Sequence, residues 1–382
     1  MSDIFDYILV GGGLQSGLIA LAVRANQPGA RIAVIERGAQ LGGNHTWCFH
    51  ARDVSAGSAP WVDPLVVRRW TGYDVRFPDH ERRLDTPYAC VTSESLAAHV
   101  HRALARAGSS ARVRTTAVKV ASDEVEVTTS DGGREVIRGR AVIDARGPDR
   151  LTSSDGGWQK FLGQEVRLAA PHGLDRPILM DALVAQVDGF RFFYVLPLAE
   201  DRLLIEDTYF NEGSHVDVSA LRSEIASYAT RHGWRITSVE REETGVLPMP
   251  ISPPPPSAKP PLVAGYAGSW FHPVTAYSFP IATRLAEHVG TRAPDQLFGP
   301  ALDELAREHA RQLAFGGKLN HMMFRWYPPD KRHHILARFY RLPQAVVERF
   351  YALELTTLDR ARIFVGRPPR GLSLRSVMRG SR

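Results

Sequence analysis

Two adjacent acids, Glu206 and Asp207, stand inside the otherwise apolar run R-L-L-I-E-D-T-Y-F, shortly after an aromatic stretch that holds Phe192, Phe193 and Tyr194. Strand periodicity puts Leu204, Glu206 and Thr208 on one face, so one acid points inward and the other outward. A carboxyl in apolar surroundings keeps its proton by desolvation and is equipped to act as a general acid. The same pair also suits a solvated strand end that does no chemistry. A second set of candidates lies at the start of the chain, in D-Y-I-L-V-G-G-G-L-Q-S-G-L-I-A-L-A, residues 6–22. Here an apolar run, a glycine turn and a segment of helical spacing follow one another. Gly11 and Gly13 let a pyrophosphate approach backbone N–H groups at the positive end of the helix. Ser16 takes the place of a third glycine, with Gly17 one residue later, and both are small enough for close packing. Glu36 ends the next strand, at the ~20-residue distance where a carboxylate binds ribose hydroxyls. An adenine dinucleotide is the expected ligand, with FAD and NAD both open at this point.

The elements that must position these residues follow from length and composition. With 382 residues, 44% of them hydrophobic, the chain builds one large or two interleaved domains around a substantial core. Two cysteines, Cys48 and Cys90, are too few for a disulfide framework and lack metal-ligand spacing, so a reducing, cytoplasmic setting is expected and no metal. Residues 4–23 approach membrane-spanning length, but Asp6, Gln15 and four glycines fit the strand-turn-helix reading better. A net charge of +6 decides little alone. No nucleic-acid motif accompanies it.

Along the chain, L-G-G-N-H-T-W-C-F-H, residues 41–50, forms a loop whose Asn44, His45 and Trp47 are candidates to line a flavin edge or a substrate mouth; a surface loop with a buried Trp is the alternative. Residues 73–92 read as a hairpin around P-D-H, and Ser93 as the cap of a helix reaching about residue 107. Residues 113–142 read as a β-meander closing on A-V-I-D-A-R-G, with Asp144 at the strand tip. That closing strand resembles the second dinucleotide strand of flavin hydroxylase-like proteins. Between residues 158 and 249 the pattern is a separate, strand-rich unit, with a hairpin over A-E-D, a helix near 218–232 and a strand near 235–240. The Pro-rich stretch 252–261 is a stiff connector. It leads to L-V-A-G-Y-A-G-S-W-F-H-P-V-T-A-Y-S, which resembles the return of flavin hydroxylase-like chains to their first domain, and residues 297–382 are helical and rich in Arg and aromatics.

These segments together resemble the bacterial lycopene β-cyclase family. The resemblance rests on G-G-N-H-T-W-C-F-H, P-L-V-V-R-R-W, V-R-F-P, A-V-I-D-A-R-G, F-L-G-Q-E, P-L-A-E-D-R-L-L-I-E-D-T, G-S-W-F-H-P-V-T-A-Y-S, R-F-Y-R-L-P and L-D-R-A-R-I-F-V-G-R-P-P, in order over almost the whole chain. It implies an α/β (α+β) fold: a Rossmann-type FAD-binding domain of the flavin hydroxylase-like kind, an inserted antiparallel-sheet substrate domain and C-terminal helices. The corresponding boundaries are 1–157, 158–249, 250–296 and 297–382. It also implies FAD, active when reduced, with NAD(P)H as reductant, and cyclisation of the linear ψ ends of lycopene to β-ionone rings, giving γ-carotene and β-carotene without net redox change. The family's catalytic acid maps onto Glu206. Expected cofactor contacts are Gly11, Gly13, Gly17, Glu36, Asp144, Gly268, His272 and Pro273. Expected substrate contacts are Asn44, His45, Trp47, Asp207, Phe271 and Tyr277. Two positions depart from the family pattern: Ala276 stands where glycine is usual, and Trp270 precedes Phe271 where a smaller apolar residue is usual.

Lycopene does not dissolve in water, so attachment to a membrane surface is expected, through residues 338–349, with Phe339 and Tyr340 inserting and the arginines meeting headgroups. A flavin monooxygenase or polyprenyl reductase acting on an isoprenoid lipid shares the dinucleotide motifs, and a carotenoid carrier is a further reading.

Overall fold

The computed structural model describes residues 4–106, 108–147, 155–366 and 368–372. The last ten residues of the C-terminal region lie outside them.

Strand β1 (Phe5–Val10) leads through the glycine turn into helix α1 (Leu14–Asn26), and β2 (Ile32–Ile35) returns parallel to β1, pairing Val10 with Ile35. A continuous apolar strand flanked by helices is the composition of a parallel sheet buried on both faces. β3 (Thr46–His50), the single turn α2 (Ala59–Val62) and β4 (Val66–Trp70) come next. The hairpin expected over 73–92 divides into β5 (Tyr73–Phe77) and β6 (His80–Leu84), followed by a separate strand, β7 (Tyr88–Thr92), which pairs with β3 and β4 in a small sheet. Helix α3 (Ser93–Leu104) is capped by Thr92, whose side chain accepts from the Ser95 amide; the hydroxyl of Ser93 instead receives the His45 amide.

β8 (Ser110–Arg112) extends the first sheet beside β2, and β9 (Thr116–Val120), β10 (Glu124–Thr128) and β11 (Arg134–Asp144) form the meander. β11 serves two partners in turn. Its first half runs antiparallel to β10, and from Gly139 onward it runs parallel to β1. Gly139 is where a side-chain carbon would collide with Ile8, at 2.7 Å.

The second sheet contains β12 (Gly157–Leu168), β13 (Ile178–Asp181), β14 (Phe190–Ala199), β15 (Arg202–Asn211) and, after helix α4 (Val218–Arg231), β16 (Ile236–Met249). Its order is β16-β12-β15-β14-β13-β5-β6. Residues 73–84, which the sequence placed with the dinucleotide region, thus complete the sheet of the later unit, and β16 runs nine residues past the expected end at 240. Helix α4 covers one face of this sheet with Leu221, Ile225 and Tyr228, the last stacked on Phe193 at 4.0 Å.

β17 (Leu262–Val263) brings the chain back beside β11, and α5 (Phe279–Gly290) packs on α1 with Gly290 against Ala22. Helices α6 (Pro300–His321), α7 (His333–Phe339), α8 (Gln344–Tyr351) and α9 (Thr357–Phe364) close the molecule. Phe339 and Tyr340, expected to insert into a membrane, are buried, and the Tyr340 hydroxyl lies 2.5 Å from that of Tyr351. Two arginines nearby have partners within the chain: Arg338 donates to the carbonyls of Ile363 and Val365, and Arg349 grips Asp359 at 2.7 and 2.6 Å. That segment ties the C-terminal helices together, and its two aromatic rings are not on the surface.

Candidate active site

One cavity of about 1140 Å³ runs from the glycine turn to the face of the second sheet that α4 leaves uncovered. At its first end are Gly11, Gly13, Glu36, Arg146 and Gln15. Gly11 has φ +94°, and a side chain there would strike the backbone of Ala145 at 2.7 Å, so glycine is required for the turn itself. At Gly13 a side-chain carbon would meet nothing within 4 Å. The turn is therefore open exactly at the N-cap of α1, where no side chain caps the helix and no acid sits in the first turn. Unspent amides and a positive helix end make this a cradle for an anion. The Glu36 carboxylate closes it laterally, accepting from the amides of Gly12 and Gly38, each at 2.6 Å.

His45 and Trp47 line the middle of the cavity, and Tyr277 reaches it while donating its hydroxyl to Asp53. Around the buried His50 stand the rings of Tyr88 at 4.9 Å, Tyr351 at 5.0 Å and Tyr73 at 5.4 Å. Tyr88 and Tyr194 join hydroxyls at 3.0 Å. These electron-rich faces suit a transient cation.

At the far end β15 presents Glu206 to the cavity. Its neighbours in register are Tyr194 on β14 and Gly163 on β12, and beyond Gly163 stands Glu243 on β16. Thr208 donates to Glu206 at 2.6 Å. Burial, reinforced by the charge of Glu243 and opposed by the Thr208 bond, pushes the Glu206 carboxyl up to about 8. At neutral pH Glu206 therefore holds a proton and can deliver it.

Several expected contacts lie elsewhere. Asp207 points to the opposite face and does not line the cavity; both acids are buried, because α4 covers the side expected to be outward. Asn44 is exposed and bonds the Glu242 carbonyl at 2.8 Å. Asp144 ends β11 in a fork with Arg146, at 2.8 and 2.5 Å, and it is Arg146 that reaches the cavity. Gly17 sits on α1 against Leu96 of α3, and Gly268 sits in a turn where any side chain would collide with the Val263 carbonyl. The Nε2 of His272 lies 3.0 Å from the Phe350 carbonyl while its Nδ1 accepts the Val274 amide, and burial lowers the ring to about 3. Pro273 packs on Gly316 of α6, and Phe271 packs on Tyr266 at 5.0 Å, one layer behind the cavity wall. Trp270 is likewise away from the cavity, stacked on His309, whereas Ala276 lines it. The sequence reading missed Glu243, because β16 was expected to stop three residues before it, and R-E-E-T-G has no apolar alternation to signal that the strand continues.

Residues 6–376 match the family model described as lycopene cyclase protein. The chain belongs to the lycopene cyclase family. It is 40% identical over 374 residues to the lycopene beta-cyclase of Pantoea ananas, spanning 97% of this chain and 96% of that one. It is 42% identical over 372 residues to the lycopene beta-cyclase of Pseudescherichia vulneris, at 95% and 94% coverage. Among solved structures, the family fold seen here resembles a geranylgeranyl bacteriochlorophyll reductase-like protein of Thermoplasma acidophilum, with TM-score 0.63, 11% identity and coverage of 100% and 96%. It also resembles a probable FAD-dependent monooxygenase of Pseudomonas aeruginosa, with TM-score 0.59, 18% identity and coverage of 89% and 100%. At such identities the likeness concerns the fold, which reductases and oxygenases share with this cyclase family.

Proposed function

We propose that this chain cyclises the linear ψ ends of lycopene to β-ionone rings, with Glu206 as the general acid. The observation that carries the reading is that a buried, proton-holding carboxyl and an open anion cradle at a helix N-terminus share one cavity. Cyclisation needs a proton on an isolated trisubstituted alkene, closure of the tertiary cation onto the next double bond, and loss of a ring proton. No hydride or oxygen moves in that sequence. Glu206 supplies the proton; Tyr194 beside it, with Tyr88 and Tyr351, offers ring faces to the cation and keeps water from quenching it.

The cradle fits FAD: Gly13 and the first amides of α1 would receive the pyrophosphate, Glu36 the ribose, and His45 and Trp47 would border the ring system. Bound and reduced, FAD supplies an electron-rich face beside the forming cation. NAD(P)H is the proposed reductant, acting to charge the flavin and not consumed with each ring closed. Lycopene is drawn from a bilayer by peripheral attachment. Among the described residues no helix is long and apolar enough to cross a membrane, and Leu358, Phe364 and Val365 lie exposed on and just after α9.

The test is anaerobic turnover of lycopene by the flavin-loaded chain, counting nicotinamide oxidised per product. The expected product has the mass of lycopene, a ratio far below one, and one deuterium per ring when made in heavy water. One nicotinamide consumed per product, with a change of mass, would instead establish a reductase or oxygenase.

A further inference from the structure

Glu243 stands two strands from Glu206 on the same face of the sheet. Gly163 pairs with Glu206 on one side and with Glu243 on the other, so the three residues form one row across β15, β12 and β16. The middle member has no side chain. A carbon added there would lie 3.3 Å from the Glu243 Cγ and 3.6 Å from the Glu206 Cβ, so the row has a bare backbone floor with a carboxyl on each side. Strands are spaced ~4.8 Å apart, which separates the two acids' backbones by ~10 Å, so carboxyls on two separate strands face the same cavity.

The two acids have different partners. Glu206 is met by the neutral hydroxyl of Thr208 and not by a cation, so its burial outweighs the bond that Thr208 donates and favours the protonated form. Glu243 is likewise raised by burial, but it has the Arg241 guanidinium at 2.6 Å, itself braced by Glu165 at 3.3 Å and by Thr46, and this ion pair works against the burial and favours the ionised form. Both line the cavity.

Resting on the cyclase reading above, we infer that Glu243 is a second catalytic carboxylate, the acceptor of the proton that the new ring gives up. The O–H bond of Glu206 breaks as a C–H bond forms on the terminal alkene, and the tertiary cation closes a C–C bond onto the neighbouring double bond. A C–H bond beside the ring cation then breaks; its electron pair becomes the ring double bond and its proton passes to Glu243. Charge and electrons balance without any oxidant or reductant. The pair ends with its proton moved from Glu206 to Glu243, and return of that proton to Glu206 before the next turnover restores the start. A C–H bond next to a carbocation is far more acidic than any carboxylic acid, so even an arginine-paired carboxylate is basic enough. Position, not basicity, then selects which C–H bond breaks and hence which ring isomer forms.

The test compares Glu243→Gln with the unaltered chain, both loaded with FAD and reduced anaerobically, reading rate, flavin retention and the position of the ring double bond by NMR. The expected result is full flavin retention, a rate lower by about 10²–10⁴-fold, and residual product with its double bond displaced. Product with the same ring isomer overturns the assignment at any rate, because Glu243 then acts only through Glu206. If that variant does not fold, Gly163→Ala places a methyl between the carboxyls, 3.3 Å from the Glu243 Cγ, so the Glu243 side chain must give by a few tenths of an ångström. At least a tenfold loss with mixed ring isomers is expected there, and unchanged rate and product overturn the assignment. An unaltered chain that leaves lycopene intact overturns the cyclase reading and this assignment together; one that cyclises beside a Glu243→Gln chain making the same ring overturns this assignment alone.

Discussion

Arg191 holds Asp207 in a fork, Nε and Nη2 donating at 2.9 and 2.8 Å, on the face of β15 turned away from Glu206. Both partners are buried, and the guanidinium also lies 5.3 Å from the centres of the Phe193 and Tyr209 rings. Two neighbouring acids of one strand thus have separate work: one anchors the sheet to the α4 side, the other faces the cavity.

Replacing Asp207 by Ala leaves the Arg191 charge buried with only the half-exposed Glu224 as partner. The expected cost is about 3 kcal/mol of folding stability, read from urea unfolding. Glu206→Gln should leave the midpoint unchanged near pH 4, where both side chains are neutral, and raise it at pH 7, where the carboxyl has lost part of its contribution, while abolishing turnover. Equal destabilisation by both substitutions would show that the two acids share a structural role.

Glu206 also makes a signed prediction about pH. Its carboxyl in the folded chain titrates at about 8 against an ordinary value of 4.5, so between those values the folded state keeps a proton that the unfolded state has released. Its contribution to stability is therefore fully present below pH 4.5 and is lost as pH rises through about 8. Activity should fall over the same upper limb. Unfolding midpoints across pH 4–9 should decline less steeply in Glu206→Gln than in the unaltered chain, and parallel curves would refute the assignment.

Gly13→Val fills the one position in the glycine turn where a side chain meets open space. Since that space is the proposed pyrophosphate seat, the variant should fold normally and lose bound flavin. Purification of a folded Gly13→Val chain with its full flavin absorbance would place the cofactor elsewhere.

Ala276 lines the cavity with φ +52°, a left-handed conformation that glycine adopts freely and alanine does not. This accounts for the glycine usual in the family at that point. Ala276→Gly should raise stability by about 1 kcal/mol, measured by chemical denaturation, with the ring isomer unchanged. A fall in stability would mean that the alanine methyl packs against something more valuable than the strain it costs.

Leu358 and Phe364 are exposed on α9. If they touch the bilayer, changing both to Ser should reduce flotation with anionic vesicles several-fold, with only a small loss of stability from the edge contact of Phe364 with Phe315. Undiminished flotation would move the attachment to another surface.

By itself the sequence determined whatever repeats over short distances. The apolar run, glycines and helical spacing of residues 6–22 specify strand, turn and helix, because the turn needs a positive φ that only glycine supplies cheaply. Alternation along 202–211 likewise put Glu206 and Asp207 on opposite faces. Which face met the cavity was not legible there, since that depends on α4 folding back over one side of the sheet. Tertiary structure also decided that residues 73–84 join the later sheet, that His272 and Pro273 brace helices instead of lining the site, and that Gly163 lies between Glu206 and Glu243. Each of these is a matter of register between segments distant in the chain. Side-chain period two tells a strand which residues share a face, but only pairing with a particular neighbour tells it what that face will meet.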